Sequence, residues 1–256
     1  GKAKPQKAWK VFGLSKRKEL DFDVPVWEWE HDHPHVPKID DSYVFRPAEL
    51  LGILQAIVTN QRCYLHGHSG SGKTTGVEQV CARLYWPVMR LNFDSDTLVQ
   101  EGGTTVSKFV DGILPTAMSG PYTLICDEID FVRPDVAYVM QRAFEGNGLV
   151  VTEDGGRVVT PHAAFRMFAT GNTVGQGDEY GMYQGARPQS MAMLDRFTMW
   201  IKVECDRAYR SVHYVQGSAT YHASWLSVTG TKLHVDGAAL RRRQCGHGVC
   251  IQDHCA

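Results

Sequence analysis

The sequence predicts an α/β fold: a parallel sheet of five strands with helices on both faces. Three observations predict it. Short apolar, β-rich runs alternate with segments whose apolar residues recur at helical spacing, a pattern that argues for a parallel sheet. A glycine-rich loop, GHSGSGKT, joins one such run to a helix. A second run, TLICDEID, is apolar enough to be buried yet closes on two adjacent acids and then a third. Burying a carboxylate is costly unless a cation or hydrogen bonds compensate, so that ending asks for a reason.

In chain order, residues 1–42 are polar with scattered aromatics and prolines, and read as an extended arm that wraps the surface. Alternating His31, His33 and His35 fit a solvated stretch of that arm better than a metal site. Pro47 opens a helix with Leu50, Leu51, Leu54, Ile57 and Val58 on one face. The strand RCYLHG precedes the glycine loop, and a helix with Val77, Val80, Cys81 and Leu84 at helical spacing follows. PVMRLNF is the next strand; a polar stretch and a helix ending near Gly120 lead to TLICDEID. Pro134 begins another helix, which Gly146 can cap. Two β-branched runs around Asp154-Gly155-Gly156 read as a hairpin, and the strands FRMFATGN and FTMWIKV complete the set.

Composition bounds the function. The 256 residues are 43% hydrophobic and 21% charged with a formal net charge of −1, enough for a real core. That balance gives no case for a nucleic-acid or acidic-membrane partner. No apolar run reaches transmembrane length, and the basic N-terminal stretch lacks a signal-peptide core. Cys63, Cys81 and Cys126 sit singly in apolar segments and act as small hydrophobes. A reduced, cytoplasmic protein is the simplest expectation.

The chemistry begins at Gly67-His68-Ser69-Gly70-Ser71-Gly72-Lys73-Thr74, which matches G-x-x-x-x-G-K-[ST] at every fixed position and runs on into Thr75. Glycines let backbone N–H groups curl around phosphate oxygens, the lysine adds charge at the β- and γ-phosphates, and the threonine hydroxyl ligates Mg²⁺. A phosphate loop of this kind needs an acid at the end of a neighbouring strand, and Asp127 takes that place. Glu128 is then set to polarise an attacking water. A polar amide, Asn172, ends the next strand, where it can hold that water or sense the γ-phosphate. These residues together predict binding of ATP with Mg²⁺.

With the three motifs in order, the chain resembles AAA+ ATPases, and within them the MoxR-like group that includes the ATPase subunits of cobalt chelatases. The resemblance runs from about Val11 to Val203 and rests on VFGL, VPVWE, GHSGSGKTT, DGILPTAM, DEIDFVRPDVAYVMQRAFE, PHAAFRMFATGNTVGQGD and LDRF. It implies an ATPase core over 43–205, Glu128 as catalytic acid, Asn172 as first sensor, and Arg196 as an arginine finger reaching a neighbouring subunit's nucleotide. The hairpin would be the insertion that precedes the sensor strand. It further implies self-association into a ring, hexameric in the family, and a partner protein such as a chelatase large subunit. Arg133 and Arg142 are further candidates for the subunit interface. A nucleic-acid-directed motor is the alternative with the same core, and a small-molecule kinase leaves Asn172 and Arg196 unexplained.

The chain departs from the family pattern in two places. The segment LVQEGGTTVSKFVDGIL is shorter than the expected insert. The helical lid with a second sensor arginine has no match in residues 206–256, which read as an atypical tail, either foreign or frameshifted sequence or a disordered segment. That tail holds Cys245, His247, Cys250, His254 and Cys255, but not at the paired spacing a structural zinc site favours.

Overall fold

A computed structural model describes residues 1–92, 112–132, 134–151, 155–175, 177, 186, 188–204, 226–228 and 231–233. It divides into two compact units, Gly1–Val203 and Glu204–Ala256. Arg133 and the cysteine- and histidine-rich stretch 245–255 lie outside the described residues, as does most of the short insert.

The first unit opens with an antiparallel ribbon, β1 (Lys2–Lys7) against β2 (Asp23–Glu28), with the short helix α1 (Ala8–Val11) between them. Within the segment expected as an extended arm, two paired strands and a short helix pack into the core rather than forming a solvated wrap. Ala8, Val24, Val26 and Trp27 are buried in the same apolar cluster as the helices of the core. The Trp27 N–H donates to the Leu84 carbonyl at 2.9 Å, and the Val88 N–H to the His35 carbonyl at 2.7 Å. His33 packs against Trp29 with ring centroids 4.5 Å apart and against Tyr122 at 5.7 Å. Apolar positions this sparse leave no periodic signal; their burial is set by the surface they meet.

Helix α2 (Pro47–Thr59) starts on a proline at its first turn and ends at Asn60, whose left-handed backbone (φ 53°) stops it. Its buried residues are Leu50, Ile53, Leu54, Ala56 and Ile57. The expected face is therefore rotated: Leu51 is only half-buried and Val58 is exposed. The cause is the small pair Gly52 and Ala56. A Cβ on Gly52 would lie 2.8 Å from Ile201 Cδ1, so its absence lets the helix settle closely on the sheet on that side.

The sheet is built from β3 (Cys63–His66), β4 (Val88–Asn92), β5 (Thr123–Asp127), β8 (Arg166–Gly171) and β9 (Met199–Lys202), in the order β4-β5-β8-β3-β9. All four pairings are parallel. Between these strands come α3 (Lys73–Arg83), α4 (Ile113–Met118), a 3₁₀ turn at Ile129–Phe131, α5 (Pro134–Phe144), the antiparallel hairpin β6 (Leu149–Val151) and β7 (Arg157–Val159), and α6 (Met191–Leu194). Side chains alternate across the sheet with period 2. Cys63, Leu65, Ile125 and Phe168 join α2, α3 and the N-terminal ribbon on one face. Tyr64, Leu124, Cys126, Met167 and Ala169 join α4, α5 and the hairpin on the other. Strands covered on both faces read as continuous apolar runs, which is why Leu124-Ile125-Cys126 does. The three cysteines are free and buried, and burial pushes the Cys63 and Cys81 thiols up to about 12, far from reactive thiolates.

Because β8 and β5 lie between β3 and β4, the chain leaving β3 crosses to the far edge of the sheet, while β9 adds on β3's other side. Open α/β sheets bind ligands at such a reversal, outside the carboxyl ends of the strands. The glycine loop leaves the carboxyl end of β3 there. In the second unit, β10 (Leu226–Val228) pairs antiparallel with β11 (Thr231–Leu233).

Candidate active site

The loop between β3 and α3 has the conformation that its glycines permit. A Cβ on Gly67 would stand 2.0 Å from the Val203 carbonyl oxygen, a backbone atom that cannot move aside. Gly70 and Gly72 take positive φ (75° and 88°), and Gly72 caps α3 in the left-handed region. The Gly67 N–H donates to the Gly171 carbonyl at 3.2 Å, which ties the loop to the end of β8. His68, Ser69, Gly70 and Thr75 are exposed, while Ser71 and Lys73 are buried. Helix α3 begins at Lys73, so its first-turn amides and positive dipole end open on this loop.

Lys73 does not reach into solvent. Its ammonium donates to the carbonyls of Gly67 (2.7 Å) and His68 (3.0 Å) and to Asn172 Oδ1 (3.0 Å). The helix thus delivers its first side chain across the loop to the residue just beyond β8.

Asp127 ends β5 with its carboxyl surrounded by donors. Thr74 Oγ1 donates to its Oδ1 at 2.8 Å, Thr170 Oγ1 donates to the same oxygen, and the Arg90 guanidinium binds Oδ2. Burial alone would raise this carboxyl, but hydrogen bonds from Thr170, Thr74 and Arg90, with the arginine's charge, outweigh it and hold the group below the usual aspartate range. Arg90 also contacts Glu78 at 3.4 Å.

The next residue, Glu128, takes a left-handed backbone (φ 55°, ψ 46°) and is exposed, with its N–H donating to Thr170 Oγ1 at 3.1 Å. A non-glycine residue in that region is strained, and such strain gathers at functional sites. The turn points the second acid away from the strand line that holds the first. The strand's acidic ending now has its reason: Asp127 is compensated by three polar partners, Thr74 of α3, Arg90 of β4 and Thr170 of β8, and Glu128 is left facing solvent.

Arg196 stands apart. Its guanidinium pairs with Glu145, just beyond α5, with Nε–Oε1 at 3.0 Å, and donates to the Ala192 carbonyl. Among the described residues, no hydrogen bond or ion pair joins it to Lys73, Asp127 or Glu128. Arg142, the other described interface candidate, lies in the last turn of α5.

Residues 63–197 match the AAA domain family, dynein-related subfamily. The chain belongs to this AAA family. Its sequence is 40% identical over 190 residues to the aerobic cobaltochelatase subunit CobS of Sinorhizobium sp, covering 70% of this chain and 57% of that protein. It is 29% identical over 172 residues to Midasin of Dictyostelium discoideum, covering 63% of this chain and 3% of that protein. The chain thus spans little more than half the length of the first relative and a small part of the second. Among solved structures, NtrX of Brucella abortus in complex with ADP is 19% identical, with a TM-score of 0.46, covering 66% of this chain and 38% of that one. A RuvB variant of Thermotoga maritima is 17% identical, with a TM-score of 0.44, covering 69% and 54%.

The AAA core brings Lys73, Thr74, Asp127, Glu128 and Asn172 to one end of the sheet and leaves Arg196 elsewhere. Arg90, Thr170, Tyr64 and Asp130 also shape the site, and sequence reasoning did not single them out. Asp130 was visible as the third acid of its strand end. Thr170 was visible one residue before the Gly171-Asn172 pair. Arg90 carried no signal, since a charged residue in a strand reads as a solvated position until the partner strand shows which carboxyl it meets.

The donor set suits a magnesium nucleotide. Thr74 and Asp127 offer the hard oxygen ligands that Mg²⁺ takes. Gly67 lets the loop close against the Val203 carbonyl, where a Cβ would not fit. Ser71 Oγ is buried in the loop with no hydrogen-bond partner among the described residues, a polar atom that a phosphate oxygen would satisfy.

Proposed function

We propose that this AAA protein hydrolyses ATP with Mg²⁺, self-associates into a hexameric ring in the cytoplasm, and uses turnover to remodel a partner protein. The partner class is the large subunit of a metal chelatase, with this chain as the CobS-like ATPase subunit. The observation that carries the reading is the convergence of two contacts, Lys73 to Asn172 and Thr74 to Asp127, at the carboxyl ends of three adjacent strands.

The loop amides of residues 67–74 and Lys73 would bind the phosphates, and Thr74 with Asp127 would hold the metal. When bound, the metal neutralises charge on the β- and γ-phosphate oxygens. Glu128, exposed and turned away from Asp127, would accept the proton of the attacking water. Asn172 would orient that water, its oxygen already aligned by Lys73. Among the described residues, no hydrogen bond or ion pair links Arg196 to its own chain's loop, which suits a residue that serves the next subunit's nucleotide. No helix among the described residues is long and apolar enough to cross a membrane.

The test is phosphate release from ATP with and without Mg²⁺, over a range of protein concentrations followed by sizing chromatography. Metal-dependent release that rises steeply where the oligomer appears is expected. Full-rate hydrolysis by a monomer would remove the ring from the proposal, and no metal-dependent release at any concentration would remove the ATPase.

A further inference from the structure

Of the three acids in TLICDEID, the third is the most enclosed. Asp130 is fully buried, whereas Asp127 keeps 8% of its surface and Glu128 is exposed. Among the described residues, no hydrogen bond or ion pair joins its side chain to the glycine loop or to Lys73. Its Oδ1 accepts from the Tyr64 hydroxyl at 2.8 Å. Its Oδ2 accepts two consecutive backbone N–H groups, from Asn172 and from Thr173 (2.9 Å). Gln189 Nε2 donates to its backbone carbonyl at 3.2 Å.

The two amides are the ones that fix how the chain leaves β8. Gly171 fits between them and the strand only because it lacks a Cβ, which would lie 2.0 Å from the Tyr64 hydroxyl and 2.8 Å from Asp130 Oδ1. With the backbone of Asn172 clamped from behind, its side-chain oxygen meets the Lys73 ammonium in front at 3.0 Å. A surface turn at this point could rotate freely; this one is held on both sides. One carboxyl thus links three strands: β3 through Tyr64, β5 through its own turn, and β8 through Asn172 and Thr173.

We infer that Asp130, seconded by Tyr64, is the positioning residue for Asn172: it holds the sensor amide in register with Lys73. The inference rests on the ATPase reading of the same site. Asp130 touches no substrate, so removing it acts through Asn172 and leaves the phosphate loop intact.

The experiment is a double-mutant cycle on ATP turnover combined with amide hydrogen exchange. Asn172→Ala and Asp130→Ala should each lower kcat by about 10²-fold, as loss of an oriented polar group in an active site does, with KM changed less than kcat. The double variant should lose no more than Asn172→Ala alone, since residues that act as a unit are non-additive. Losses that multiply overturn the inference and leave the ATPase reading untouched. Independently of turnover, Asp130→Ala should speed exchange of the Asn172 and Thr173 amides by about tenfold or more, with α3 unchanged. Unchanged exchange at both amides overturns it, even in a protein that hydrolyses nothing.

Asp130→Asn covers the case in which the alanine variant does not fold. Its amide oxygen can accept both backbone N–H groups, and its NH₂ can donate to the Tyr64 oxygen. The Tyr64 hydroxyl then turns to the Thr173 carbonyl, 3.1 Å away. Turnover should therefore stay within about threefold of wild type, well short of the cost of a lost active-site donor. A folded Asp130→Asn protein as impaired as Asn172→Ala would overturn the inference.

Discussion

The Lys73 ammonium and the Asn172 side-chain oxygen lie 3.0 Å apart, although one opens the helix after β3 and the other follows the neighbouring strand β8. The contact joins the group that would bind phosphate to the group that would sense it. Lys73 also holds the Gly67 and His68 carbonyls, so it shapes the loop as well as charging it.

Lys73→Ala removes three charged hydrogen bonds from the loop and the charge at the phosphates. Hydrogen bonds to charged groups contribute about 1.5–3 kcal/mol each, so ATP affinity should fall by at least about one to two orders of magnitude. Calorimetry reads this directly, and unchanged affinity would remove the phosphate-loop assignment.

Glu128→Gln and Asp127→Asn should fail differently. The glutamine amide at position 128 cannot take up a proton, so the variant should bind Mg-ATP normally and hydrolyse it about 10²–10⁴-fold more slowly. Asp127→Asn loses the carboxyl that Thr74, Thr170 and Arg90 gather around, and should weaken nucleotide binding and its Mg²⁺ dependence together. Single-turnover rates beside binding isotherms separate the two. A normal rate for Glu128→Gln assigns the base elsewhere.

Arg196→Ala should leave ATP binding intact and lower hydrolysis by about 10³–10⁵-fold, the range for an arginine that stabilises charge on the transferred phosphoryl group. Its pairing with Glu145 rather than with its own loop motivates a role in trans. Mixing Arg196→Ala with Glu128→Gln protein should restore part of the activity, because some interfaces then combine an intact Glu128 with an intact Arg196. Assembled mixtures with no recovery at any ratio contradict that role.

Stability should depend on pH through Glu49. This carboxyl is pushed up to about 7 by burial, against the opposing Arg46 guanidinium 2.9 Å away. A carboxyl raised in the folded chain contributes stability that is complete below its unfolded value and disappears as pH rises through its folded one. Here that window runs from 4.5 to about 7. Between pH 5 and 8 the wild type should lose about 1 kcal/mol relative to Glu49→Gln, allowing for solvent screening. Urea midpoints at the two pH values check it; parallel curves for the two proteins would contradict it. Arg46 also donates to the Ser71 carbonyl at 2.8 Å.

The sequence alone determined the parts whose signal is local. Strand and helix order, the glycine loop with Lys73 and Thr74, the hairpin around Gly155-Gly156 and the Val77, Val80, Cys81 and Leu84 face of α3 all follow from patterns within a few residues. There, backbone permissiveness and side-chain periodicity act on neighbouring positions. Only the tertiary structure decided what depends on residues far apart meeting. The core face of α2 turned toward Ile53 and Ala56 because Gly52 meets Ile201. Residues 1–42 joined the core through Val24 and Trp27. Arg90 acquired Asp127 as its partner across two strands, and Asp130 acquired Tyr64, Asn172 and Thr173. A carboxyl's neighbours are set by strand order and register, and those are fixed by how the two apolar faces of the sheet are covered, a property of the whole chain that no short stretch of it contains.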